Sequence, residues 1–471
     1  MQKIGVFVVS YGAREVAMVD ALLQSTKYQV ELYIADKQRN PFNAEKAAKH
    51  VVIPSLDVGE ICRFAEANQD KIDFALVGSE KPIIEGIRDQ LEKRTGIPTI
   101  CPKQKYAIEE SKVAQRVLFA DIAPDANPRF KVFDPADYKK QGDVKADVYR
   151  WLDELDNQAV VKPDKPALGK GVGVWGDHFA NREQLFDHFM SNFQYGSVII
   201  EEKVDGEESS FMAFCDGKHF VPLPDTRDYK RAFDDDRGPN TGGMGSYKDA
   251  DDKLPFLIAA DREAELALGN KIFTGWSKKI HDATALRGIP LYLAYMHTGS
   301  GIKVLEINSR PGDPEIINLL ALIQDDFVDV CYKMVEGNLG GVKMEKAASV
   351  LTYKVPLDYG GYADEFSVKA YRAAANTPVD LSRAQALTKK YGSHIRIYPG
   401  SIEIRDGKNY ALKSRAVGVL GIGKTIEEAR GISLEGANAI SGGGLWNRGD
   451  VASKSHIAKA VNHMDRLRRK A

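Results

Sequence analysis

Residues 237–247 read RGPNTGGMGSY: one charge, one proline, four glycines and small polar groups within eleven consecutive positions. Such a stretch builds no core. Glycine leaves its amide unobstructed and tolerates dihedrals closed to other residues, which suits a backbone that must lie close against a ligand. Gly, Asn and Pro are equally the ordinary residues of a surface turn, so the rest of the chain has to decide between the two.

Around this stretch lie 471 residues, too many for one core and enough for about three or four domains. Sixty-five basic against sixty-six acidic side chains give a net charge of -1, which removes the electrostatic argument for a general binder of nucleic acid or membrane surfaces. Cys62, Cys101, Cys215 and Cys331 are far apart and form no C-x-x-C pair, so reduced, buried thiols are expected. The opening run IGVFVV is too short for a signal peptide's apolar region, and no segment approaches a membrane span. A cytoplasmic protein is expected.

KIGVFVVSYGAR, EVAMVDALL and QVELYIA read as strand, helix, strand, and the pattern recurs to about residue 105. A parallel sheet covered by helices follows, with ligand loops at its carboxyl edge, Ser10–Arg14 and Gly78–Pro82. The first loop lacks the G-x-G-x-x-G spacing of a dinucleotide site, and an anion at the first helix N-terminus is the better expectation. Residues from about 115 to 205 suggest a small α+β unit. Strands then dominate, with TGSG (298–301) as a hairpin turn. A mixed region begins near residue 341, where Thr425 and Glu428 form a T-x-x-E capping box. The basic end RLRRKA reads as a frayed, solvated terminus.

Three segments could carry chemistry. VVKPDKPALGKGVGV (160–174) is a glycine-punctuated turn between strands with lysines on both sides, able to fold over triphosphate oxygens or to be a plain hairpin. VIIEEKVDGEES (198–209) is a buried strand followed by acidic groups, either an edge that meets a base and a ribose or an acidic sheet edge. In VLEINSRPGDPE (304–315), Glu306 and Asn308 stand at i and i+2 on a strand, so both oxygens face one side and can share a hard cation. Arg310 continues that face. The same pattern also describes the wet side of a sheet.

Taken in order, these segments resemble the ATP-grasp superfamily and, more closely, the phosphoribosylamine–glycine ligase family. DDDRGPNTGGMGSY looks like that family's glycine-rich signature. GSEKPIIEGI, EESK (109–112), the three segments above and SRAVGVLGIGKTIEEA match further motifs across nearly the whole chain. The resemblance implies a multidomain α/β and α+β protein: an N-terminal Rossmann-like pre-ATP-grasp sheet (1–110), an ATP-grasp domain (111–340, lid about 115–205) and a small C-terminal α+β domain (341–471). It implies that glycine is phosphorylated by ATP and that the amine of 5-phosphoribosylamine attacks the glycyl phosphate, with Mg2+ or Mn2+ as the metal. Lys112, Lys162, Gly169, Lys170, Gly171 and Gly173 would serve the phosphates. Glu201 and Val204 would meet adenine, and Glu208 the ribose. Glu306 and Asn308 would hold metal. Arg310 and Lys162, with Asn240, Gly242 and Gly243 along the intermediate, would be catalytic. Gly12, Arg14, Glu15, Gly78, Glu80, Pro82, Asp228, Lys230, Asp313 and Glu315 would contact the amine or glycine substrate.

The sequence departs from the family pattern in places. G-x-G-G-R-E-H-A is SYGAREVA here, G-P-E-A-P is GSEKP, D-H-K is DYK, and R-F-G-D-P-E is RPGDPE. Two alternatives therefore stand beside the expected ligase: an ATP-grasp ligase for a different amine, and a nucleotide-binding regulator without turnover. The expected partners are small molecules, with no nucleic acid or membrane, in a monomer or small homo-oligomer.

Overall fold

The computed structural model describes residues 1–165, 171–359 and 369–470. Gly169 and Lys170 of the expected lid turn lie outside the described residues.

The opening apolar run is the central strand of a five-stranded, all-parallel sheet. β1 (Gln2–Ser10), β2 (Tyr28–Asp36), β3 (Lys49–Val52), β4 (Phe74–Val77) and β5 (Thr99–Ile100) lie in the order β3-β2-β1-β4-β5. Both faces of β1 are covered, which is why its sequence is apolar without alternation. The chain leaves β1 toward β2 and later returns on the other side as β4. The carboxyl ends of β1 and β4 thus flank the switch point where such sheets open a ligand crevice.

The expected small unit is an antiparallel sheet of β6 (Phe130–Phe133), β7 (Ala159–Pro163), β8 (Gly173–Val174) and β9 (Val198–Glu202), ordered β6-β9-β7-β8. The helix Arg182–Phe193 buries Leu185, Phe186, Phe189 and Phe193, the i, i+4 spacing of one apolar face.

Beyond it come β10 (Glu207–Cys215), β11 (Phe220–Pro222), β12 (Arg227–Asp228), β13 (Arg231–Phe233), β14 (Arg237–Asn240) and β15 (Gly245–Lys248). The hairpin of β16 (Gly288–Thr298) and β17 (Gly301–Asn308) then turns at TGSG, as expected. Strands β11-β10-β16-β17 form one antiparallel sheet.

The last strands are β18 (Ala348–Pro356), β19 (Ile395–Pro399), β20 (Ile402–Arg405), β21 (Lys408–Ala411), β22 (Val417–Gly423) and β23 (Leu445–Trp446). Strands β20 and β21 pair as a two-stranded sheet, but β18, β22 and β19 do not form a sheet of their own. β15, from the glycine-rich stretch, pairs with β18 in the order β12-β15-β18-β22-β19. One apolar core accordingly runs from Val8 and Leu76 through Phe214 and Ile316 to Leu351 and Leu420.

Two local expectations need adjustment. Thr425 accepts from the Glu428 amide, but the Glu428 carboxylate takes the Lys424 amide, one residue before the cap. The basic end is not frayed: the helix Lys454–Lys470 buries His456, Ala460 and Met464 at i, i+4, i+8, and Arg468 bonds Asp261. All four cysteines are buried and unbridged. Among the described residues no helix is long and apolar enough to cross a membrane.

Candidate active site

Glu306, on β17, is the centre of the arrangement. Burial pushes its carboxyl up, yet Lys230, Lys162, Lys112 and Arg310 together hold it below the ordinary value. These four cations come from four separate segments, and only Arg310 is near Glu306 in the chain. Asn308 Nδ2 lies 3.5 Å from Glu306 Oε1, so the two side chains share one face, as the i, i+2 spacing requires. A carboxylate and an amide are hard donors suited to a divalent cation that takes its other ligands from phosphate and water. No cluster of three or more His, Cys, Asp or Glu side chains able to hold a metal exists among the described residues.

The lysines are positioned by local structure. Lys112 opens the helix Lys112–Ile122, whose cap Ser111 accepts from the Ala114 amide and donates to Asp164 at 2.7 Å. Asp164 also receives the Val113 amide, so the residue that follows β7 fixes the helix N-terminus. Burial lowers the Lys112 ammonium, Glu306 raises it, and Lys162 lowers it further. Lys162 Nζ meets Glu201 Oε2 at 2.7 Å. Glu201 is itself clasped by Arg116 at 2.6 and 3.0 Å, and Arg116 reaches the carbonyls of Val304 and Leu305 on β17. Arg116 therefore ties the β6-β9-β7-β8 sheet to the strand that carries Glu306.

The Glu201 carboxylate thus faces Lys162 and Arg116. Further along, the Lys203 amide is taken by Gln158, while neither backbone polar group of Val204 is hydrogen-bonded among the described residues. Glu208 pairs with Lys230. Between β7 and β8, the Gly171 carbonyl lies 2.8 Å from His188 Nε2, and Gly173 of β8 packs on the Phe179 ring.

Arg310 is held by Glu109 at 3.0 Å and Glu80 at 3.5 Å. Arg14 reaches Pro311 O at 2.9 Å. The first domain's two loops therefore both touch the RPGDPE turn. Within the first loop, Arg14 and Glu15 are fully buried and face each other, and Glu15 accepts the amides of Tyr11 and Gly12. Gly78 packs directly on Glu15, where a Cβ would lie 2.7 Å from its Oε1. Pro82 is buried in the short helix that follows, Glu80–Ile84.

In the glycine-rich stretch the Thr241 amide goes to Lys230 O and Met244 to Tyr229 O, while Gly242 donates to the Tyr359 hydroxyl and Gly243 to Thr241 Oγ1. Gly243 has φ +104°, and a Cβ there would come within 2.6 Å of Asp228 Oδ1 and Pro314. Glycine is required for that approach. Asp228 Oδ1 is buried without a hydrogen bond among the described residues. Burial pushes the Asp228 carboxyl well up, with Glu315 and Glu208 adding to it and Lys230 opposing.

Sequence reasoning missed three groups that complete this site. Glu109 stood inside the matched EESK but without a role. Arg415 stood inside SRAVGV; it meets Asp313 Oδ2 at 2.9 Å, Asp313 O at 2.6 Å and Gly242 O, with its guanidinium 5.0 Å from the Tyr353 ring. Tyr353 in turn donates to Asp313 at 2.6 Å.

Comparisons with known proteins agree with this architecture. Residues 4–110 match the phosphoribosylglycinamide synthetase N domain, and residues 131–316 match the ATP-grasp (A) domain of the same family. Phosphoribosylamine–glycine ligase of Methanocella arvoryzae is 35% identical over 466 residues, covering 98% of this chain and 99% of the relative. The ligase of Methanobrevibacter smithii is 36% identical over 470 residues, covering 98% and 99%. Among solved structures, phosphoribosylamine–glycine ligase from Thermotoga maritima matches with TM-score 0.70 at 23% identity, covering 95% of this chain and all of that one. The biotin carboxylase domain of Hydrogenobacter thermophilus 2-oxoglutarate carboxylase, solved with MgADP, matches with TM-score 0.63 at 14% identity over 98% and 93% of the two chains. With two family domains matched and full-length relatives above 30% identity, the chain belongs to the phosphoribosylglycinamide synthetase, or phosphoribosylamine–glycine ligase, family.

Proposed function

We propose that the chain ligates glycine to 5-phosphoribosylamine at the expense of ATP, through glycyl phosphate, giving glycinamide ribonucleotide, ADP and phosphate. The observation that carries this is the convergence of Lys112, Lys162, Lys230 and Arg310 on Glu306. A carboxylate is a poor electrophile, and converting it to a mixed anhydride requires concentrated positive charge on the transferring phosphoryl group, shielded from water.

In this assignment Lys112 and Lys162 take nucleotide phosphates, with Gly171 and Gly173, and with Gly169 and Lys170 beyond the described residues. Glu201 holds Lys162 in place, and the unbonded backbone of Val204 meets the adenine edge. Glu208 accepts the ribose hydroxyls. Glu306 and Asn308 hold Mg2+, or Mn2+, which when bound neutralises phosphate oxygens. Arg310, fixed by Glu109, stands over the phosphoryl group. Asn240, Gly242 and Gly243 lie along the intermediate. Asp228 and Glu315, whose proximity is unfavourable when both are charged, receive the ammonium of glycine beside Lys230 and Asp313. The loops of Gly12 to Glu15 and Gly78 to Pro82 border the second substrate.

The glycine carboxylate attacks the γ-phosphorus and ADP leaves. The neutral amine of phosphoribosylamine then attacks the acyl carbon, phosphate leaves and the new amide nitrogen loses one proton. The three working units are residues 1–110, 111–340 and 341–471.

The test is ADP release with glycine, against phosphoribosylamine formed in situ from ribose 5-phosphate and ammonia. Release requiring both substrates is expected. Release with another amine but not this one would favour the different-amine ligase, and ATP binding without any turnover would favour the regulator.

A further inference from the structure

We infer that Lys37, seated on the ring of Tyr11, binds the 5-phosphate of the amine substrate and sets the enzyme's preference for a phosphorylated sugar. This assignment rests on phosphoribosylamine being that substrate.

Strands β2, β1 and β4 are neighbours in the sheet, and the residues just past their carboxyl ends are Lys37, Tyr11 and the Gly78–Glu80 loop. At about 4.8 Å per strand these ends form a row. The Glu80 end of the row lies 3.5 Å from Arg310, where the acyl phosphate forms. The Lys37 end lies farthest from it. A sugar whose C1 amine points at Arg310 places its hydroxyls by Glu80 and its 5-substituent by Tyr11 and Lys37.

The N-terminus of the helix Ala13–Leu23, the anion site expected from sequence, is closed to a phosphate. Glu15 already accepts the Tyr11 and Gly12 amides and puts a buried carboxylate there. Lys37 is different. Its Nζ sits 4.3 Å from the Tyr11 ring centroid, and it makes no salt bridge among the described residues. Lys81, by contrast, donates to Ser55 O.

Tyr11 occupies the junction of the three units, where its hydroxyl feels Glu80, Arg415 and Asp313. Burial lowers the Lys37 ammonium, Glu80 raises it and Lys81 lowers it again. Glu80 acts on it only at a distance, and a phosphate dianion beside it supplies the contact ion pair that Lys37 does not make among the described residues. Tyr11 is a positioning residue: its ring holds the ammonium over the crevice through a cation–π contact.

The experiment compares ribose 5-phosphate with ribose by calorimetry on the full chain, in wild type, Lys37→Met, Tyr11→Leu and Tyr11→Phe. ATP binding serves as the folding control. Wild type should prefer the phosphorylated sugar, and Lys37→Met should lose about 10- to 100-fold of that preference. Tyr11→Leu should lose part of it and Tyr11→Phe should restore it, since the ring rather than the hydroxyl acts. Equal ribose 5-phosphate affinity in wild type and Lys37→Met, including no binding by either, overturns the assignment. Because no turnover is measured, failure of the ligase reading in the assay above is a separate result.

Discussion

Glu306 concentrates the argument at the scale of single residues. In the proposed reaction its carboxylate serves twice, once as a hard ligand and once as the negative centre that lets four cations approach one another. Replacing it by glutamine keeps size and hydrogen bonding but removes the charge. Glu306→Gln is expected to lower ligase turnover roughly 10²- to 10³-fold, with an unchanged circular dichroism spectrum. Wild-type turnover in that variant would remove Glu306 from the reaction. Glu306 and Asn308 on one strand face, with Arg310 continuing it, were legible in the sequence because that arrangement is written in residue type and short spacing. Glu109, Lys37 and Arg415 were not. Glu109 acts on a residue 201 positions away, and Arg415 on a carbonyl 102 positions away, so no local pattern reveals either role.

At the scale of elements, the long apolar strands and the parallel order of the first sheet follow from periodicity. Strands β12 to β14 have two to four residues each, too few to show a period, although they pair within one local stretch, β13 with β14 and β12 with β15. The junction of the β6–β9 sheet with β17 depends on a contact remote in sequence, the buried Arg116–Glu201 pair. Burial opposes ionisation of Glu201, but Arg116 and Lys162 bring its carboxyl from 4.5 down to about 2. That shift corresponds to about 3 kcal/mol of stability. Because the folded-state value is the lower one, this stability is present above pH 4.5 and is lost as pH falls from there to about 2. Glu201→Gln should therefore be less stable than wild type near pH 7, and the two should converge as pH falls through that window. Urea unfolding at a series of pH values checks this, and parallel curves would show that the pair adds no pH-dependent stability. The same variant should raise the KM for ATP, because Lys162 loses the carboxylate that aims it.

At the scale of the whole molecule, the C-terminal region closes the site instead of standing apart from it. β18 pairs with β15, so the glycine-rich stretch is held from behind by residues 348–356. From the front, Arg415 bridges Gly242 O to both the carbonyl and the carboxylate of Asp313. One guanidinium thus fixes the relative positions of the glycine-rich loop, the RPGDPE turn and the C-terminal sheet. Arg415→Met keeps much of the apolar stem but leaves the Asp313 carboxylate, 8% exposed, with the Tyr353 hydroxyl and without its paired cation. Loss of one member of a buried pair costs about 3–5 kcal/mol. The variant should unfold at lower denaturant and lose most of its ligation rate, while ATP affinity, which the proposed reaction assigns to Lys112 and Lys162, stays near wild type. Arg415→Lys should not rescue it, since a single ammonium cannot span two oxygens of Asp313 and a third on Gly242 in a fixed plane. Turnover, nucleotide binding by calorimetry and urea unfolding together separate the outcomes. Lowered stability with full turnover would make Arg415 a structural strut only, and equal losses of ATP binding and ligation would place its effect on the nucleotide half of the cleft.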